Sequence, residues 1–294
     1  MAVRVLVLGA TGRLGSMLRR HWTSSAEMSG LIPLWQARQG RGPEGGDAWV
    51  VFDPRTDPLA LAQACAAVDV ILDLSGPVPG PGRTVESFAA TVPLAQAVAH
   101  GARGKPLLWA SSSAVYGARA LCHEDDPPAP LNAYGRAKAD AEAVLAGVPG
   151  VCVLRIGNVA GADALLSAAL PGRPVVLDRF VDGTTPVRSY MGPKTLAKSL
   201  FQLVMRAGEG GLPGVMNLSG PGAGVAMANL LNAAALRWQP CPAPETALPR
   251  LVLDTELLTR LVDLPPEAGQ AVRIVAEWKA DEAQKQALYK GNGQ

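Results

Sequence analysis

The chain has 294 residues, 48% of them hydrophobic and 18% charged, with a formal net charge of +2. That length can bury a full core as one large domain or one and a half. The near-balanced charge, with no basic run and no interleaving of aromatic and basic residues, argues against nucleic acid as the main ligand.

An apolar run predicts a first strand over Val3–Leu8. Glycines interrupt it at once, so it reads as a strand rather than a signal peptide. A helix over Leu14–Trp22 and a strand over Leu31–Ala37 follow; Pro33 is awkward there, because a central strand needs its N–H groups. The glycine-rich Gly40–Gly46 is a loop, ahead of a strand over Ala48–Phe52 and a helix over Leu59–Ala67. The fourth strand, Val70–Leu74, ends in Asp73, a carboxylate that must face a polar neighbour or lie at the strand's wet end. After it come the loop Gly76–Gly82, a helix over Val85–His100, a strand over Leu107–Ser111, a helix over Ala133–Ala146 and a strand over Val151–Ile156. This alternation predicts an α/β fold with a parallel sheet covered on both faces. GPVPGPG lies at the carboxyl end of the fourth strand, where ligands bind in open α/β sheets, or is a plain surface loop. Trp35, Trp49 and Trp109 sit in apolar strands and are expected in the core.

Past residue 160 the segments shorten. GADALLSAAL, RPVVLDRF, VMNLSG and ANLLNAAALRW interleave, Gly208–Gly214 is a loop, and Pro240–Gln294 is proline-broken and then charged, ending in EAQKQALYK as a solvated helical tail. No repeat is visible, and no stretch reaches the roughly 18 apolar residues of a membrane span. Cys65, Cys122, Cys152 and Cys241 are widely spaced and fit neither a zinc pattern nor a disulfide framework, so no metal is expected and a reducing cytoplasm is the simplest home.

Two motifs carry chemistry. In GATGRLG, Gly9 permits the tight turn, Gly12 lets the backbone approach a pyrophosphate, and Gly15 lets the helix pack closely on its strand; the N–H groups at that helix start then bind phosphates. In YGRAK, Tyr134 and Lys138 lie four apart on a helix with Pro130 before it and Gly147 after it, so the ammonium can approach the phenol. At about 6 Å and an effective dielectric of about 20, that favours the phenolate by roughly 3 kcal/mol, or about two pKa units, giving an acid and base usable near pH 8. A serine from the run Ser111–Ser113 facing the pair can hold a carbonyl or carbinol oxygen for proton transfer while hydride moves at carbon. His21, His100 and His123 are isolated and read as surface or packing residues, since the tyrosine already supplies the base.

From residue 3 to about residue 220 the chain resembles the extended short-chain dehydrogenases/reductases, also called the NAD-dependent epimerase/dehydratase family. GATGRLG, VVFDPRTD, SSSAVYG, HEDDPPAPLNAYGRAK, LRIGNVAG and PVRSYMGPKTLA are similar to family segments in that order. Thr91, Gly192 and Asp73 depart from the usual asparagine, histidine, and neutral or histidine residue.

The resemblance implies a Rossmann-type doubly wound parallel sheet, with a dinucleotide-binding domain over 1–160 and a smaller, partly interleaved substrate-capping region over 161–294. It implies Ser112, Tyr134 and Lys138 as catalytic residues, with Lys138 also holding the nicotinamide ribose. It implies cofactor contacts from Gly9, Thr11, Gly12, Arg13, Leu14, Gly15, Arg38, Asp53, Pro54 and Leu74, together with Tyr134 and Lys138. Substrate contacts fall to Ser112, Asn158 and Arg188, the last a fork suited to a diphosphate. The second strand ends Trp35, Gln36, Ala37, Arg38 without a carboxylate, and Arg13 follows Gly12, so NADP is preferred over NAD unless Arg38 only stacks on adenine. The expected activity is that of a net reductase or an epimerase on a nucleotide sugar, as a monomer or a homodimer. Two alternatives stay open: a non-catalytic dinucleotide-binding redox sensor, and a reductase of a small carbonyl compound.

Overall fold

The protein is described by a computed structural model over residues 2–38, 48–167, 169 and 173–291; the loop expected over Gly40–Gly46 lies outside these. The chain forms two compact units, Met1–Gly117 with Pro127–Arg155 and Leu200–Met216, and Ala118–Asp126 with Ile156–Ser199 and Asn217–Gln294.

The first unit is built on strands β1 (Val3–Leu8), β2 (Leu31–Ala37), β3 (Trp49–Val51), β4 (Val70–Asp73), β5 (Leu107–Ser112), β6 (Val151–Ile156) and β7 (Val215–Leu218). They line up in the order β7-β6-β5-β4-β1-β2-β3. β1 pairs in parallel with β2 and β4, β2 with β3, and β4 with β5. This is the doubly wound order, which returns to the middle strand and places the carboxyl ends of β1 and β4 side by side.

Helices α1 (Arg13–Ser24), α2 (Pro58–Ala66), α3 (Thr91–Ala102), α4 (Ala133–Leu145) and α5 (Pro193–Glu209) connect the strands. Leu61 and Cys65 of α2, Leu94 and Val98 of α3, and Ala141 and Leu145 of α4 pack with Leu6, Leu8, Ile71, Leu107, Trp109 and Val153. The other face takes Trp22 of α1 against Trp35, ring centres 5.8 Å apart, and Gly208 of α5 against Val3 and Val70. Each large apolar side chain buried this way contributes roughly 1.5–3 kcal/mol relative to exposure.

Pro33 fits its strand because the strand's neighbours are unequal. The Trp35 N–H points to Ala48 O of the β3 side, 2.9 Å away, and Pro33, two residues earlier, turns its nitrogen the same way. Among the described residues β3 pairs no further back than Trp35, so no described acceptor faces the nitrogen of Pro33. As β3 is the edge, Trp49 is half-buried rather than core, while Trp35 and Trp109 are buried as expected.

The helix expected over Val85–His100 is two pieces, a 3-10 turn Val85–Phe88 closed by a capping box at Thr84, and α3 from Thr91. Pro93 explains the break. In the first turn of α3 its missing N–H costs nothing, whereas in an unbroken helix its ring would clash with the carbonyl of Ala89. Thr91 bridges the two pieces by donating its hydroxyl to Phe88 O at 2.8 Å.

The second unit contains a four-stranded sheet (Val225–Ala226, Val187–Arg188, Arg250–Leu253, Leu121–Cys122) and two strand pairs. Its core gathers Leu166, Leu177, Tyr190, Leu230, Leu231, Ile274 and Val275. EAQKQALYK closes a helix that begins at Ala271; its Ala283, Gln284 and Gln286 are exposed, whereas Ile274, Val275 and Asp281 upstream are buried. No helix among the described residues is long and apolar enough to cross a membrane.

Candidate active site

The turn after β1 is shaped by close approach. A Cβ on Gly9, which has φ 75°, would sit 2.8 Å from the Ser75 backbone, and one on Gly15 would sit 2.5 Å from Gly9 O. So the turn lies directly against the end of β4, and α1 packs onto the turn. Gly12 stands at the N-terminus of α1 without a side-chain cap, and the first turn of that helix holds no acidic residue. Its positive end is therefore open to an external anion.

A cleft of about 310 Å³ opens above this turn. Gly9, Thr11, Gly12, Arg38, Asp53, Pro54 and Leu74, all singled out from the sequence, line it. Arg13, Leu14 and Gly15 begin α1, and Arg13 reaches to 4.0 Å from the position of a Cβ on Gly80 in the loop after β4. Gln36, Arg55, Ser75 and Arg83 also line the cleft and were not foreseen. The signal for Gln36 was a lone amide in an apolar strand. It is buried, accepting from Gly9 N–H at 3.1 Å and donating to Phe52 O at 2.5 Å, and so ties the turn to the end of β3. Asp53 is engaged by Arg55, whose Nη2 lies 2.7 Å away; that hydrogen bond draws the carboxyl down to about 2, and the Arg38 charge acts in the same direction.

Ser112 and Tyr134 meet in the same unit. Ser112 ends β5, accepts the Ala114 N–H at 3.2 Å and acts on the Tyr134 hydroxyl, drawing its pKa down against burial. Asn132 caps α4 by accepting the Gly135 N–H at 2.8 Å, which puts Tyr134 in its first turn. Gly135 lets that turn press on the segment after Ser112, since a Cβ there would lie 2.4 Å from Ala114 O. The Phe88 ring stacks at a tilt 5.5 Å from Tyr134. Of the neighbouring serines, Ser111 turns away and donates to Glu142.

Lys138 corrects the expectation of a lysine-activated phenol. Its buried Nζ donates to Ala110 O at 2.6 Å and lies 4.4 Å from the centre of the Trp109 ring. Tyr134 is therefore shifted up, not down. Burial of its hydroxyl drives that rise although the residue as a whole is half-buried, and only Ser112 opposes it. Burial lowers Lys138 to about 8 against the raising effects of Asp73 and Glu142. Behind α4, Glu142 takes a two-pronged ion pair from the buried Arg155, at 2.9 and 3.1 Å. Asp73 is buried at the end of β4 with Oδ1 accepting the N–H and hydroxyl of Ser75; burial raises its pKa, and the bonds from Ser75 and the charge of Lys138 oppose that rise.

Asn158 and Arg188 belong to the second unit. Asn158 is half-buried, its N–H bonded to Ser189 O at 2.9 Å. The Arg188 fork donates to Val187 O and Leu248 O at 2.8 and 2.7 Å, and burial lowers its pKa. At Gly192 the space for a side chain is filled by Glu277, which accepts from the Thr195 N–H and hydroxyl at 2.8 and 2.9 Å.

Residues 5–172 match the model of the NAD dependent epimerase/dehydratase family. Among solved structures, the chain is similar to a UDP-glucose 4-epimerase from Brucella ovis in complex with NAD, at 21% identity and a TM-score of 0.76 over 94% of this chain and 97% of that one. It is similar to a UDP-glucose-4-epimerase from Stenotrophomonas maltophila with bound NAD and formylated UDP-arabinopyranose, at 19% identity and 0.74, over 97% and 99%. A short-chain dehydrogenase/reductase superfamily protein from Agrobacterium tumefaciens with bound NAD aligns at 17% identity and 0.71, over 98% and 99%. At these identities the likeness is one of fold. No curated protein matches the sequence.

Proposed function

The chain belongs to the NAD dependent epimerase/dehydratase family, and from that membership we propose that it oxidises or reduces an alcohol or ketone carbon of a nucleotide-activated sugar, with NADP preferred to NAD. The observation that carries this reading is the cleft walled by the Gly9 turn and the uncapped start of α1, in the same unit as Ser112 and Tyr134. A bound dinucleotide supplies the hydride donor or acceptor. The Gly9 turn and the α1 N-terminus suit its pyrophosphate, Arg38 suits a 2′-phosphate, and Ser112 holds the reacting oxygen.

Tyr134 then moves the proton at that oxygen. With a pKa above the ordinary 10 it is protonated at neutral pH and can donate during net reduction. Lys138, with one N–H on the Ala110 carbonyl, is proposed to hold a bound ribose through its remaining N–H donors. Asn158 and Arg188 are proposed for the substrate, Arg188 at the cost of exchanging two backbone carbonyls for phosphate oxygens.

The test is oxidation of NADPH by purified protein with a panel of keto nucleotide sugars, alongside thermal protection by uridine and thymidine diphosphates. Tyr134→Phe should reduce kcat by about 10²- to 10⁴-fold with dinucleotide affinity nearly intact. Near-normal turnover in that variant removes Tyr134 from the mechanism. Turnover without nucleoside diphosphate protection moves the substrate to a smaller carbonyl compound.

A further inference from the structure

We propose that Asp73 is the positioning residue for Lys138, its carboxylate holding the lysine's ammonium on the Trp109–Ala110 segment and linking it to Ser75 on the wall of the cleft. The inference rests on the reading of Lys138 as part of the reaction centre. Asp73 is 1% exposed, and while Oδ1 accepts two bonds from Ser75, Oδ2 accepts none among the described residues. A buried carboxylate with an idle oxygen is costly unless a charge nearby compensates it.

The sheet register supplies that charge. Asp73 is paired across the sheet with Trp109, so both side chains leave the same face. That face is the one under α4, because Ser111, two residues beyond Trp109, bonds Glu142 of that helix. Lys138, also on α4, places its ammonium over the Trp109 ring and on Ala110 O, on the same face as Asp73 but outside ion-pair distance of it, and the Asp73 charge raises its pKa. The other titratable groups acting on the pair are Glu142 on α4, held by Arg155 on β6, and Cys65 on α2, whose thiol feels the Asp73 charge. Arg155 already neutralises Glu142, with side chains 5% and 7% exposed. Asp73 is thus the carboxylate left to match the lysine. Through Ser75 it also touches the cleft, so the lysine's position is linked to a residue that a bound dinucleotide meets.

The test is a carbon NMR titration of the full chain with labelled lysine and aspartate, Lys138 being assigned by Lys138→Arg. In the wild type Lys138 should titrate near 8, and the Asp73 carboxyl resonance should show an inflection at that same midpoint. Asp73→Asn keeps an acceptor for Ser75 but removes the charge, and should lower the Lys138 midpoint by about one to two units. An unmoved midpoint, or a wild-type Asp73 resonance blind to the lysine, overturns the proposal; the second reading needs no folded variant. Dinucleotide affinity is measured in parallel. Binding with an unmoved midpoint sinks the role of Asp73 alone, whereas a moved midpoint in a chain that binds no dinucleotide sinks the enzyme reading alone.

Discussion

Cofactor choice is decided by a handful of side chains at the end of β2. An acidic residue there would accept hydrogen bonds from a ribose 2′-hydroxyl and repel a 2′-phosphate. The nearest candidates are occupied or absent. Gln36 is neutral and spent on Gly9 and Phe52, and Asp53 is held by Arg55. Arg38 is exposed and lines the cleft, and Arg83 lines it from the loop after β4. A charge-assisted hydrogen bond is worth roughly 1.5–3 kcal/mol, so Arg38 alone would supply the proposed preference of about tenfold or more. The expected result is a Kd for NADPH at least about tenfold below that for NADH, with Arg38→Ala removing most of the difference. Tighter NADH binding by the wild type overturns the preference and favours an epimerase that retains NAD.

Helix α4 shows what local sequence can and cannot specify. Its spacing correctly puts Tyr134 and Lys138 on one face, and Asn132 caps it. The lysine nevertheless selects a carbonyl 28 residues away on β5, a choice that the spacing along the helix does not contain. Gln36 and Asp73 were visible as polar residues in apolar strands, but their partners come from sheet register, and Pro33 became intelligible only once the short reach of β3 was known. β1, β2, β5 and β6 were readable because each is a largely apolar run of six or seven residues. The strands of the second unit are two to five residues long, too short to show a period. Gly135 is a further case, a glycine inside a helix whose reason is the Ala114 carbonyl 2.4 Å from where a Cβ would go. Gly135→Ala should gain helix propensity yet lose about 1–3 kcal/mol to overpacking and draw Tyr134 away from Ser112. Chemical denaturation combined with kcat checks this, and a stabilised, fully active variant would show that the helix start is free to shift.

For the molecule as a whole, alkaline pH is where buried groups set stability. Cys65 on α2 and Cys152 on β6 are 1% and 2% exposed, and burial pushes their thiols from 9.0 up to about 11 and about 12. Above pH 9 the unfolded chain releases both protons while the folded chain keeps them, so this stability is complete below 9 and is lost as pH climbs through 11 and 12. Lys138 acts the other way. Its folded value of about 8 lies below the ordinary 10.5, so between these the unfolded chain holds the extra proton and stability rises with pH. From about pH 8 to 9 the lysine favours the fold as pH rises, and above 9 Cys65 and Cys152 oppose it, with Cys241, also raised, acting in the same direction. Stability should therefore peak near pH 9 and then fall. Above about pH 10, where free tyrosines ionise, Tyr134 in the first unit and Tyr190 in the second, both raised by burial, steepen the loss. Cys152→Ala removes one of the opposing thiols, so between about pH 9 and 10 its denaturant midpoint should decline less steeply than that of the wild type. Parallel declines in the two proteins would mean that Cys152 ionises in the folded chain as readily as in the unfolded one, and that its burial in β6 does not protect the thiol.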